Sequence, residues 1–324
     1  MTVLSRYLEV HDATEELARD VAAGLTRSPK ELPPKWLYDA RGSELFEDIT
    51  RLPEYYPTRA EQEILQRRAD EIARATRADM LVELGAGSCE KARVLLDALS
   101  RGGSCEAYVA ADVSESALQA SMATLTAEYP QLAVEGVVAD FETHLDRLPA
   151  GRRRLVAFLG GTIGNLVPAQ RHRFLAGVAA ILGPDDTFLL GTDLVKDPER
   201  LVRAYDDAAG VTAAFDLNVL AVVNRELKAD FDLTAFRHRS VWDPENEWIE
   251  MRLESLRDQT VRIEALDLAV RFVQGEQMRT EISAKFRRSR LEAEAGAVGL
   301  RVRDWWTDEA GDYALSLLVA QSRA

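Results

Sequence analysis

The sequence predicts an α/β chain: a doubly wound parallel sheet joined to a second part of mixed α+β character. Three observations predict it. Short apolar strands alternate with helical stretches from about Leu81 to Val195, a glycine turn follows the first of those strands, and an acidic residue closes each of the next two. The strands read LVELG from Leu81, AYVAAD from Ala107, VEGVVAD from Val134, RLVAFLG from Arg154 and DTFLLGTD from Asp186. Between the first two, Lys91 to Leu99 places Val94, Leu95, Ala98 and Leu99 on one apolar helical face.

After Lys196 the alternation stops. A helical segment is expected from about Pro198 to Ala209, followed by VTAAFDLNVLAVVNREL and a hairpin turning at Asp243–Asn246. Further strand-like sequence runs through Val261 to Phe272 and Met278 to Phe286, and Arg301 to Ala320 reads as a closing antiparallel hairpin. The first 59 residues are punctuated by prolines and aromatics. The expected division is residues 60–196 plus about 286–324 for the sheet domain, and 1–59 plus 197–285 for the other.

The stretch MLVELGAGS, Met80 to Ser88, carries the first functional signal. Gly85 and Gly87 let the backbone turn tightly and approach a nucleoside, with Glu83 just before the turn. A dinucleotide fingerprint needs a third glycine where this chain has Glu90, and a carboxylate there opposes a pyrophosphate. S-adenosylmethionine carries no phosphate, and the E-L-G-x-G form resembles the first motif of Rossmann-like methyltransferases. Asp112 ends the second strand, where a carboxylate accepts from both ribose hydroxyls. Asp140-Phe141 ends the third, pairing an acceptor for the adenine amine with a stacking face.

Composition narrows the class. The 324 residues hold 40 Lys+Arg against 54 Asp+Glu, a formal charge of -14, which disfavours a surface that tracks nucleic-acid phosphates. Cys89 and Cys105 are the two cysteines, too few for a disulfide framework, and the reducing cytoplasm is the expected setting. The opening MTVLSRYLEVHDATEELARD lacks a signal-peptide core, and no apolar run approaches the roughly 20 residues that span a bilayer. His11, His144, His172 and His238 show no metal-ligand spacing, so no metal is expected.

The segments LPPKWLYD, LPEYYPTR, ELGAGSCEKARVLLDAL, FLGGTIGNL, LLGTDLVKD and RAYDDAAGVTAAF together resemble the histidine-specific Nα-methyltransferases of ergothioneine biosynthesis, over almost the whole chain. The resemblance implies a Rossmann-like class I methyltransferase sheet with a second α+β substrate-binding domain. It also implies trimethylation of free L-histidine to hercynine at the expense of three S-adenosylmethionine molecules. Cofactor contacts are then expected at Tyr38, Gly85, Gly87, Lys91, Asp112, Asp140 and Phe141, with Lys91 matching the methionyl carboxylate.

For the amino acid the resemblance points to Tyr55, Gly160, Asn165, Tyr205, Met251, Glu281 and Ser283. Asn165 suits the zwitterion because its amide both donates and accepts. Tyr55 and Tyr205 offer hydroxyls to the carboxylate, and the Gly160 carbonyl an acceptor to the amine. Glu281 and Ser283 share a strand face and can grip the two imidazole nitrogens, whereas Met251 is by default core filler. Tyr38, Tyr55 or a chain of waters relays the amine's proton. Departures from the family fall at Ala86, Ser88 and Cys89 in the glycine loop and at Ala284. The partner expected is a small molecule, without nucleic acid or membrane, and the chain a monomer. Two alternatives stay open: an N-methyltransferase of another free amino acid, and a catalytically silent cofactor-binding regulator.

Overall fold

The computed structural model describes residues 3–7, 10–87 and 89–321; Ser88 of the glycine loop lies outside the described residues. Two compact units divide the chain.

The first unit takes the described parts of Met1–Leu8, Pro57–Val195 and Phe286–Ala324. Its strands are β1 (Val3–Arg6), β2 (Met80–Leu84), β3 (Ala107–Asp112), β4 (Ala133–Val138), β5 (Arg154–Phe158) and β6 (Thr187–Asp193), completed by a C-terminal hairpin of Leu300–Thr307 and Tyr313–Ala320. The sheet order is β1-β4-β3-β2-β5-β6, then Tyr313–Ala320, then Leu300–Thr307 at the far edge. From β1 to β6 every pairing is parallel, and Tyr313–Ala320 runs antiparallel to β6. Each residue of β2, β5 and β6 is buried, the mark of a parallel sheet covered by helices on both faces. The chain builds outward from β2 through β3 to β4 and then returns to β2's other side with β5. The glycine turn therefore sits at the topological switch point, where such sheets bind ligands.

One expected boundary changes here. The expectation places residues 1–59 as a block in the second domain, but Val3–Arg6 forms the second parallel neighbour of β4, opposite β3, in register Val3 to Glu135 through Arg6 to Val138. Four residues are too short for periodicity to announce them; what makes them a strand is the open hydrogen-bonding edge of β4.

The second unit takes the described parts of Glu9–Tyr56 and Lys196–Lys285. Strands β7 (Phe236–Asp243), β8 (Trp248–Ser255) and β11 (Gln277–Ala284) form an antiparallel sheet ordered β11-β8-β7, and β9 (Gln259–Ile263) pairs with β10 (Leu268–Phe272). A bulge between Arg279 and Glu281 interrupts β11; beyond it Glu281, Ile282 and Ser283 face Met251, Glu250 and Ile249 without a break. The expected 198–209 helix stops at Ala204. Asp207 instead caps the next helix, Val211–Leu227, its carboxylate accepting from the amides of Val211 at 3.0 Å and Thr212 at 2.7 Å. The strand expected over Val261–Phe272 folds back at a 3-10 turn, Glu264–Leu266, closed by Asp267 in the left-handed conformation. Phe215, Val219, Leu220 and Val223 of the long helix pack with Ile249, Leu253 and Met251 in this unit's core.

Candidate active site

The first unit assembles the nucleoside-binding features around the end of β2. Gly85 (φ +67°), Gly87 (φ +49°) and Cys89 (φ +56°) all adopt left-handed backbone, which glycine accepts without penalty. A Cβ at Gly87 would meet no protein atom within 4 Å, and one at Gly85 only the Phe158 ring at 4.0 Å, so the turn leaves open space rather than packing against its own chain. Asp112 braces the turn: its carboxylate accepts from the Gly87 amide at 3.0 Å and from the Ser114 amide at 2.9 Å. With about four lone-pair sites on a carboxylate, capacity remains for two ribose hydroxyls. Asp140 accepts from the Glu142 amide at 2.7 Å, and the half-buried Phe141 ring lies 4.9 Å from Phe158 and 5.8 Å from Phe174. This chemistry, open turn, ribose acceptor and aromatic face, fits S-adenosylmethionine.

Beneath the turn lies a buried polar cluster that sequence reasoning missed. Glu61, on the helix Pro57–Thr76, is fully buried. Its carboxylate takes the Lys91 ammonium at 2.6 Å, the Gly160 amide at 2.9 Å and 3.0 Å, and the Tyr313 hydroxyl at 2.8 Å. Lys91 is thus no solvated first-turn lysine but one held in place by a buried partner. A Cβ on Gly191 would come within 2.2 Å of Glu61 and 2.6 Å of the Tyr313 hydroxyl, which explains a glycine in the middle of β6. Gly160 (φ +82°) and Gly161 (φ +71°) open the loop whose 3-10 turn, Thr162–Asn165, ends on the half-buried Asn165. The signal that would have found Glu61 is a lone acid at a core position of an amphipathic helix, invisible until its three partners arrive from distant segments. Glu83, also buried, accepts from Tyr108 at 2.6 Å; burial pushes its carboxyl up to about 7 against the opposing pull of that bond and of Lys91. Burial likewise raises the Cys89 thiol to about 11, which makes it a packing residue and not a nucleophile.

The second unit gathers Tyr55, Tyr205, Met251, Glu281 and Ser283, all buried. The Tyr55 ring meets Tyr205 edge-on at 5.9 Å. Tyr205 and Ser283 share a hydroxyl–hydroxyl bond of 2.8 Å, and the fully buried Lys285 donates to both, at 2.9 Å and 2.8 Å. Met251 belongs to the hydrophobic core of this unit. Tyr38 also falls in this unit, more than a third exposed and set between Phe46 and Phe215, at 5.5 Å and 5.2 Å, whereas the glycine turn with which it was grouped lies in the first.

A second buried clamp holds Tyr205 by its backbone. His238 sets one ring nitrogen 2.7 Å from the Asp216 carboxylate and the other 2.7 Å from the Tyr205 carbonyl, and Thr280 donates to the remaining Asp216 oxygen. Both ring nitrogens face acceptors, an arrangement that favours the imidazolium form. Burial alone would lower its pKa; Asp216 and the carbonyl outweigh burial and raise it. A raised folded-state value means the stabilisation is complete below the ordinary histidine range, about 6.5, and is lost as pH climbs through the raised one. His238→Gln is accordingly expected to cost about 2 kcal/mol near pH 6. In denaturation curves taken across pH, the gap from wild type should narrow on the alkaline side.

Among the described residues, no helix is long and apolar enough to cross a membrane, and no cluster of three His, Cys, Asp or Glu side chains could hold a metal ion.

A parallel sheet ordered in this way, with an antiparallel strand next to its edge and an open glycine turn at its switch point, is a class I methyltransferase sheet. The chain belongs to the family of histidine-specific, S-adenosylmethionine-dependent methyltransferases, whose model matches residues 17–320. It is 57% identical over 316 residues to the histidine N-alpha-methyltransferase of Mycolicibacterium smegmatis, covering 98% of both chains. It is 57% identical over 301 residues to that of Mycobacterium tuberculosis, covering 93% of this chain and 94% of the relative. Ergothioneine biosynthesis protein 1 of Neurospora crassa is 36% identical over 201 residues, which is 60% of this chain and 23% of that longer protein.

Proposed function

We propose that this enzyme trimethylates the α-amine of free L-histidine, giving hercynine for ergothioneine biosynthesis. The observation that carries the choice of substrate is the buried Glu281-x-Ser283 pair: each side chain is only 7% exposed, and the two stand two residues apart on uninterrupted strand. A carboxylate and a hydroxyl at that spacing match the two ring nitrogens of imidazole. Names borne by the two mycobacterial relatives support the reaction, and that of the fungal one supports the pathway.

Bound at the glycine turn, S-adenosylmethionine supplies a sulfonium-activated methyl group. Gly85 and Gly87 give it room, Asp112 takes the ribose hydroxyls, Asp140 and Phe141 take the adenine, and Lys91 takes the methionyl carboxylate. Asn165 and the Gly160 carbonyl orient the histidine amine, the Tyr55 hydroxyl binds its carboxylate, and Tyr205 serves the site through its hydroxyl bond to Ser283. An α-amine has a reference pKa of about 8, so the nitrogen must shed a proton before its lone pair can attack. Each round forms one N–C bond as one C–S bond breaks and releases one proton, until the third leaves a quaternary nitrogen with no hydrogen. Tyr38 and Tyr55 are the hydroxyls assigned to relay those protons, directly or through water.

Mass spectrometry of the purified protein with S-adenosylmethionine and each free amino acid tests the reading. Histidine gaining three methyl masses is expected, with other amino acids unchanged. Glu281→Ala should raise the KM for histidine about 10–100-fold, the worth of a charge-assisted hydrogen bond, while cofactor affinity stays within about twofold. Methylation of another amino acid in place of histidine would overturn the substrate assignment and leave the cofactor site standing.

A further inference from the structure

Lys285 has no part in the reaction as described above, yet it is fully buried and its ammonium reaches the hydroxyls of two proposed site residues at once. The amine head also lies 4.5 Å from the centre of the Tyr205 ring, a cation–π contact suited to the charged form. An ammonium only donates. The Ser283 oxygen therefore spends one lone pair on Lys285, at 2.8 Å. Its bond with Tyr205, also 2.8 Å, has one donor, and the phenol is far more acidic than an alkyl hydroxyl and thus the better donor. Tyr205 then fills the second lone pair. A hydroxyl has two lone pairs and one hydrogen, so Ser283 is left with nothing to offer a ligand except its O–H.

We infer that Lys285 is a specificity-determining residue: by filling the Ser283 oxygen together with Tyr205 it turns that hydroxyl into an obligate donor, so that the site takes histidine only with a neutral imidazole. This rests on the reading that Glu281 and Ser283 grip the ring. Glu281 alone would favour an imidazolium, because a carboxylate stabilises the charged ring. An imidazolium presents N–H on both sides, and one of them would point at a hydroxyl with no lone pair to receive it. Neutral imidazole has one N–H for Glu281 and one bare nitrogen for the Ser283 hydrogen. Indole offers a donor and no acceptor and is refused on the same count. The titratable and charged groups about the lysine in this unit include Tyr205, Tyr55 edge-on to that tyrosine, Glu281 two positions before Ser283, and the His238–Asp216 pair behind the Tyr205 backbone.

The test counts protons. Calorimetric titration of histidine into the S-adenosylhomocysteine-loaded enzyme, in buffers of different ionisation enthalpy, is run at about pH 5.5 and about pH 8. At the lower pH about nine-tenths of free histidine carries the ring proton, and at the higher almost none does. The wild-type enzyme should release about one more proton per histidine at the lower pH. In Lys285→Met, with a lone pair of Ser283 freed, that difference should fall to less than half, and S-adenosylhomocysteine should bind as in the wild type. Tyr205→Phe frees the other lone pair and should show the same loss, which covers the case of a misfolded lysine variant. An equal proton count in wild type and either folded variant overturns the inference. Failure of the underlying reading looks different: Ser283→Ala and Glu281→Ala would then bind histidine as tightly as the wild type, whatever the proton count.

Discussion

Glu61→Ala is expected to destabilise the protein by about 3–5 kcal/mol and to abolish most activity. That is the range for removing one partner of a buried ion pair, and here the loss is compounded. Glu61 is fully buried, and the substitution strands the Lys91 ammonium, the Gly160 amide and the Tyr313 hydroxyl together. Each of those donors would then face either an empty space or water drawn into the core. Chemical denaturation followed by circular dichroism measures the first effect. The second is read from turnover at saturating cofactor, because the loop from Gly160 to Asn165 loses the contact that anchors its start. Glu61→Gln separates the two: it keeps an acceptor oxygen and the volume but cancels the charge that holds Lys91. Its stability should lie between the other two proteins, with a raised KM for S-adenosylmethionine. A stable and fully active Glu61→Ala enzyme would remove the cluster from any role in the site.

Asn165→Ala is expected to lower kcat/KM for histidine by about 10²–10³-fold with cofactor affinity within about twofold. The chemistry needs a deprotonated nitrogen on the line from sulfur through methyl, and most of the gain from such alignment comes from holding the nucleophile still. Asn165 ends a short 3-10 turn and is half-buried, a place where an amide is held by its backbone and still meets a ligand. Asn165→Asp makes a sharper test. A carboxylate would hold the protonated amine more tightly, so KM should not rise, whereas kcat should fall and its acidic limb shift to higher pH. If instead the aspartate variant binds histidine weakly and keeps its pH profile, the residue does not touch the amine.

Much of the first unit is legible in the chain because its signals are local. LVELG, AYVAAD and RLVAFLG are apolar runs broken only by Glu83, Asp112 and Arg154, as expected of parallel strands buried on both faces. The closing hairpin of Leu300–Thr307 and Tyr313–Ala320 and the turn after Asp243 were readable for the same reason. What stayed hidden depends on partners remote in sequence. Val3–Arg6 is a strand only because β4 has an edge, and Glu61 is a site residue only because Lys91, Gly160 and Tyr313 converge on it. His238 offers no metal-ligand spacing in the sequence, and only its pairing with Asp216 makes it a brace for Tyr205. Lys285 lies two residues past Ser283, and nothing in the spacing tells a buried ammonium from a solvated one. The break of Val261–Phe272 at Asp267 needed a left-handed residue that is not glycine, which local propensity does not announce.

The bond between Tyr313 and Glu61 spans 252 positions of sequence. On a ribosome, the helix that carries Glu61 emerges well before the strand that carries Tyr313, with the whole of Lys196–Lys285 made in between. Until then β6 presents an unpaired edge and a carboxylate awaits one of its donors, so the nascent chain passes through a long interval with its sheet incomplete. Contacts this remote slow folding and leave exposed strand edges open to association with other chains. Truncations that remove only the C-terminal hairpin should therefore yield insoluble protein rather than a smaller active enzyme, and expression should profit from slow synthesis at low temperature.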